Sequence, residues 1–134
     1  MNRDELKEIS RLRLKEASTL LKAGHYPGSY YLAGYAVECA LKACIAKQTK
    51  RYDFPDKEFA KKVWVHDLKQ LIKLAELEKD MKTNKDIELN WAVVKDWKVD
   101  ARYAVNISDV TARDFYSACT AKKNGILSWI KKRW

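Results

Sequence analysis

The pattern of apolar and polar positions is dominated by one stretch, Tyr30 to Lys47, YYLAGYAVECALKACIAK. Gly34, Glu38 and Lys42 are its only interruptions before Lys47, and their spacing of four places them on one narrow stripe of an α-helix. A helix that is apolar on nearly every face belongs in the middle of a bundle, in contact with neighbours on several sides. A membrane span needs about 20 predominantly apolar residues, and a charge at its centre costs about 2.5 kcal/mol or more, so the stretch is read as a core helix and no membrane association is expected. Glu38 and Lys42 must then pair, reach water or face a cleft.

The flanking patterns are also helical. Leu6, Ile9, Leu14, Ala17, Leu20 and Leu21 recur at a 3.6-residue period and predict a first helix over Arg3–Ala23 with Asn2 as N-cap. Arg13 falls on the same apolar face and should snorkel or answer a buried carboxylate, for which Glu38 is the nearest candidate. Gly24 suits a left-handed helix end, and His25-Tyr26-Pro27-Gly28 reads as a turn that closes an αα-hairpin. QTKRYDFPDKEF then mixes charge, aromatics and Pro55 and is predicted to be the longest loop, a candidate lid. Leu68, Leu71, Ile72 and Ala75 predict a third helix over His66–Glu78, and EKDMKTNKD a connector. A fourth helix from near Asp86 carries Leu89, Trp91 and Val94 toward Trp97. After it Trp97, Arg102 and Tyr103 lie close together, and the pattern loosens through Asn106-Ile107-Ser108. The last helix is capped by Ser108 or Asp109 and shows the stripe Ala112, Phe115, Cys119, Ile126 and Ile130, thickened by Trp129 and Trp134.

These elements predict an all-α fold, an up-and-down bundle of about five helices in one domain over residues 1–134. Composition agrees: five Trp, seven Tyr and three Phe stand against four Gly and two Pro, which disfavours disorder and β-sandwiches. Cys39, Cys44 and Cys119 lie in helical apolar patterns and are read as reduced core thiols of a cytoplasmic protein. The opening MNRDELKEIS has no apolar signal core, so export is not expected.

The formal net charge of +9 changes the picture, because it favours a polyanionic partner. Lys57, Lys61, Lys62, Lys69 and Lys73 gather mid-chain, and Lys122, Lys123, Lys131, Lys132 and Arg133 near residue 134. His25 reads as a solvated turn residue and His66 as a structural hydrogen-bonder at a helix start, since neither stands at metal-ligand spacing. No metal box, Gly-rich phosphate loop or nucleophile elbow is present, and no cofactor is implied.

A turn leading into YLAGYAVECALKA, a helix opened by HDL-x2-L, a W-x4-RY element and a final helix ending in W-I-K together resemble the HEPN domain (higher eukaryotes and prokaryotes nucleotide-binding). The specific part is A-G-Y-x-x-E-x-x-L-K at Ala33 to Lys42, and the resemblance covers nearly the whole chain. It implies a helical bundle, commonly a two-fold homodimer with a cleft between protomers, in the cytoplasm of a prokaryote. It further implies a minimal nucleotidyltransferase partner in a toxin–antitoxin arrangement, and family members that are metal-independent RNases.

Those RNases carry an Arg, four to six residues and a His, and here the pattern is missing. Only His25 and His66 are present, with 11 and 14 residues separating them from Arg13 and Arg51, and neither Arg102 nor Arg113 is followed by a histidine. The primary expectation is therefore a non-catalytic module that binds a nucleotide, RNA or a partner protein through Glu38, Lys42, Arg102 and Tyr103. The alternative is a ribonuclease with a non-standard site in which His66 and Arg102 meet in space, and a third reading joins Glu38, Lys42, Arg13 and Arg102 in a buried ion network.

Overall fold

A computed structural model describes residues 2–48 and 64–134. Among these residues the chain forms seven α-helices and one 3-10 helix: α1 (Arg3–Lys22), α2 (Tyr26–Gln48), α3 (Leu68–Leu74), α4 (Glu78–Met81), α5 (Lys85–Val94), the 3-10 helix (Val99–Tyr103), α6 (Asp109–Thr120) and α7 (Ile126–Lys131). The all-α bundle is as the periodicity predicts, with more and shorter helices than five. The predicted lid and Lys57, Lys61 and Lys62 fall almost entirely at residues 49–63, outside the described residues.

Helix α1 begins with a complete capping box: the Asn2 side chain accepts from Glu5 N at 2.8 Å, and the Glu5 carboxylate accepts from Asn2 N at 3.0 Å. It ends where Gly24 takes φ 82°, a conformation that costs a glycine little. The expected turn at His25–Gly28 is shorter than predicted, because Tyr26, Pro27 and Gly28 already belong to α2. Proline is compatible with a first helical turn, where its missing N–H has no intrahelical partner to lose. Two buried hydroxyls stitch the hairpin together: Ser10 Oγ donates to Ala36 O at 2.7 Å and Ser29 Oγ to Ala17 O at 2.8 Å.

Helix α2, 23 residues and about 35 Å long, is the axis of the bundle. The helices α1, α3, α6, α7 and the 3-10 helix all pack on it, and Val37, Ala40, Leu41, Ala43 and Ile45 are at most 1% exposed. Gly34 is the point of closest approach. The indole of Trp97 lies on it so tightly that a Cβ would clash with the ring atoms. Trp97 stacks on Tyr31 with ring centroids 6.0 Å apart, and Tyr31 on Tyr35 at 6.2 Å, so an aromatic ladder runs beside α2 and anchors the start of the 3-10 helix.

Three sequence expectations are corrected. The predicted His66–Glu78 helix is α3 alone, since Asp67 is its N-cap and Glu76 at φ 59° ends the run. The apolar stripe on α5 is Ile87 and Val94, whereas Leu89 is 68% exposed. The last predicted helix is two: the chain breaks after Thr120, and Gly125 is packed against the Ala121 backbone where no Cβ fits. The stripe Ala112, Phe115, Cys119, Ile126 and Ile130 is nevertheless entirely buried, because both helices still pack on α2 after the break.

Candidate functional site

The polar stripe of α2 continues from Gly34 to Glu38, one turn further along. Glu38 is 2% exposed, in a helix otherwise walled by alanine, leucine and cysteine. Its Oε2 accepts from Lys42 Nζ at 3.1 Å and meets His66 Nδ1 at 3.0 Å, while Oε1 is buried without a partner. A carboxylate is an acceptor only, so His66 Nδ1 is the donor of this contact and Nε2 is left to other partners. The His66 side chain is 47% exposed, so the ring bridges a buried anion and the surface. A carboxylate in this position fixes the orientation of the imidazole ring.

Local sequence explains why His66 is there. The Asp67 side chain accepts from Lys69 N at 2.8 Å and starts α3, while Leu68 is fully buried, so the residue before the cap is pinned against α2. Lys42 lies one helical turn after Glu38, at the spacing that favours Glu-to-Lys pairs, and its side chain is only 12% exposed. The Glu38–Lys42 pair expected from the sequence is formed. The Arg13–Glu38 pair is not: Arg13 pairs with Glu16, one turn away on its own helix, at lower desolvation cost. The second partner of Glu38 is His66, which lies 28 residues away and carries no sequence signal of the contact beyond its place before a cap.

Arg102 and Tyr103 form a separate feature on the 3-10 helix. The guanidinium lies 4.8 Å from the centroid of the Tyr103 ring, and Tyr103 is 72% exposed. Arg102 is exposed and has no ion pair among the described residues. Val99 and Ala101 pack against the core and hold the short helix in place, so its solvent side presents a cation and an aromatic face together. The expected ion network of Glu38, Lys42, Arg13 and Arg102 therefore reduces to Glu38, Lys42 and His66. His25 is exposed in the α1–α2 connection. Among the described residues no three His, Cys, Asp or Glu side chains group closely enough to hold a metal ion.

Around this site the thiols are quiet. Burial, reinforced by the Glu38 charge, pushes the Cys39 thiol up to about 11, and burial does the same for Cys44. Cys119 is raised by burial alone. All three are free and buried, as the apolar patterning implies. Burial also raises Tyr35, with Cys39 and Glu38 adding to the effect and Arg13 opposing it.

No helix among the described residues is long and apolar enough to cross a membrane. No curated protein and no solved structure matches the chain. A family model, the HEPN domain, matches residues 4–134, from the first turn of α1 to Trp134. The central helix, the His66 element and the Trp97–Tyr103 element all lie inside that match, and the chain belongs to the HEPN domain family.

Proposed function

We propose that this chain is a non-catalytic HEPN binding module that holds RNA or a nucleotide by phosphate attraction and aromatic contact. It works as a homodimer in the cytoplasm beside a minimal nucleotidyltransferase partner, in a toxin–antitoxin-like pair. The observation that carries the reading is the exposed Arg102–Tyr103 pair on a core-anchored 3-10 helix. A cation with no carboxylate partner among the described residues and an open aromatic ring are the two contacts that single-stranded nucleic acid takes, one to phosphate and one to a base face. The net charge of +9 supports the same partner class. Separate from the Arg102–Tyr103 pair, Glu38 and Lys42 occupy each other, and Glu38 holds the His66 ring at the surface. The homodimer is supported by aliphatic side chains left in solvent, Leu89, Val105 and Val110, which are 61–80% exposed.

Equilibrium binding of a fluorescent single-stranded RNA tests the reading. Removing a stacked aromatic costs about 1–3 kcal/mol per base, so Tyr103→Ala should weaken binding by roughly tenfold, and Arg102→Ala should weaken it and flatten its salt dependence. RNA affinity unchanged in both variants overturns the assignment.

A second reading, a metal-independent ribonuclease of non-standard chemistry, is favoured by one observation: Glu38 holds the half-exposed His66 ring by one nitrogen. A general base contributes about 10² to 10⁴-fold, and cleavage also needs a cation or acid at the phosphate. Lys42, the cation beside the Glu38–His66 dyad, is already bound to Glu38. The binding reading is therefore preferred.

A further inference from the structure

A second charged feature lies where α1 meets the C-terminal end of α7. Arg3, Lys7 and Arg11 are spaced by four on α1 and so share one stripe, with about 6 Å of rise between neighbours. Three cations surround a single indole: Lys7 Nζ lies 5.6 Å, Arg11 Cζ 5.0 Å and Lys131 Nζ 5.9 Å from the Trp134 ring centroid. Arg3 Nη2 donates to Trp134 O at 2.6 Å, whereas its Nε is buried with no acceptor. None of the four has an ion pair among the described residues, although Glu8 lies beside Arg11 on the same helix. Like charges at i,i+4 repel by about 0.2–0.5 kcal/mol per pair, so this arrangement opposes helix stability unless an anion joins it. Partial burial, with the nearby Arg11 charge, lowers the proton affinity of Lys131.

We propose that Arg3, Lys7, Arg11 and Lys131, gathered around Trp134, form a phosphodiester-binding track for single-stranded nucleic acid, separate from the Arg102–Tyr103 contact. Trp134 is only 8% exposed, so it offers no face for a base. Its role is to hold the cations by its π-cloud, which positions charge without neutralising it. The cation spacing along the stripe is comparable to the separation of successive phosphates on an extended strand, and recognition through phosphates alone is indifferent to sequence. An acidic peptide is the less favoured occupant, because it needs no periodic run of cations.

The proposal rests on the RNA-binding reading, and one experiment separates the two. The affinity of a fluorescent oligouridylate is measured against salt for the parent, for Lys7→Ala/Arg11→Ala/Lys131→Ala and for Arg102→Ala, with helical circular dichroism recorded for each. Each phosphate contact contributes about −0.7 to the slope of log K against log salt for single strands, so the triple variant should flatten the slope by about 2 while keeping its helicity. If the triple variant retains the parent slope and Arg102→Ala does not, the track is wrong and the first site stands. If poly-aspartate displaces the RNA as effectively as polyphosphate of equal charge does, the phosphate assignment is overturned. If the triple variant loses helicity, Lys7→Gln and Lys131→Gln singly must each flatten the slope, or the proposal fails.

Discussion

Glu38 is the residue at which burial and chemistry meet. Its carboxylate is 2% exposed and serves Lys42 and His66 through one oxygen, so removing it strands an ammonium that is 12% exposed and frees the His66 ring. Breaking one side of a buried pair costs about 3–5 kcal/mol, and Glu38→Ala should lower the melting midpoint by roughly 10 °C. A shift within two degrees of the parent would deny Glu38 that role. The thiols give a pH prediction at the same scale. Folded Cys39 and Cys44 hold their protons up to about 11, whereas unfolded thiols release theirs near 9. The folded state is therefore the more protonated one between those values, and stability should fall as pH rises from 9 to 11. Denaturant midpoints at pH 8 and pH 10.5 check the sign; a midpoint that rises contradicts it. Of this residue-scale picture the Glu38–Lys42 pair was legible, because i and i+4 on an apolar helix leave few other partners. His66 as the third member was not, because its contact to α2 spans 28 residues and depends on the Asp67 cap.

At the scale of elements, the seat of Trp97 on Gly34 fixes the 3-10 helix and with it the Arg102–Tyr103 pair. In an exposed helix Gly→Ala gains about 1 kcal/mol, but overpacking a core typically costs about 1–3 kcal/mol, and here the added Cβ meets the indole itself. Gly34→Ala should destabilise the protein and change Trp97 fluorescence; a rise in melting midpoint contradicts the packing. At α6 the Ser108 hydroxyl accepts from Thr111 N at 3.1 Å, so Ser108→Ala should cost about 1 kcal/mol in chemical denaturation. Helices with a long apolar period were legible from sequence, and so were their caps: Asn2, Ser108 and Gly24 are all where side-chain chemistry puts them. Breaks were less so. Glu76 takes a left-handed conformation without glycine to announce it, and the chain turns at Thr120 although the apolar stripe continues past it. Leu89 looked like core because it is apolar and near the right phase, yet Ile87 and Val94 fill that face.

For the whole molecule, the family and the all-α fold follow from the central helix and its stripe, and the family match spans residues 4–134. Function is harder to read, because the Arg-x4-6-His signature of the family's RNases is missing while a carboxylate-held imidazole is present in another place. Assembly can be tested directly: sedimentation at micromolar concentration should give about twice 15.6 kDa, and a species at 15.6 kDa alone rejects the homodimer. The central claim is that the protein binds RNA and leaves it intact. The most direct measurement is an incubation of purified protein with end-labelled single-stranded RNA in EDTA, analysed in parallel on native and denaturing gels. A retarded complex that weakens steeply between about 50 and 200 mM salt is expected, with full-length RNA recovered throughout. Cleavage that disappears in His66→Ala would contradict it and make the Glu38–His66 dyad a catalytic one.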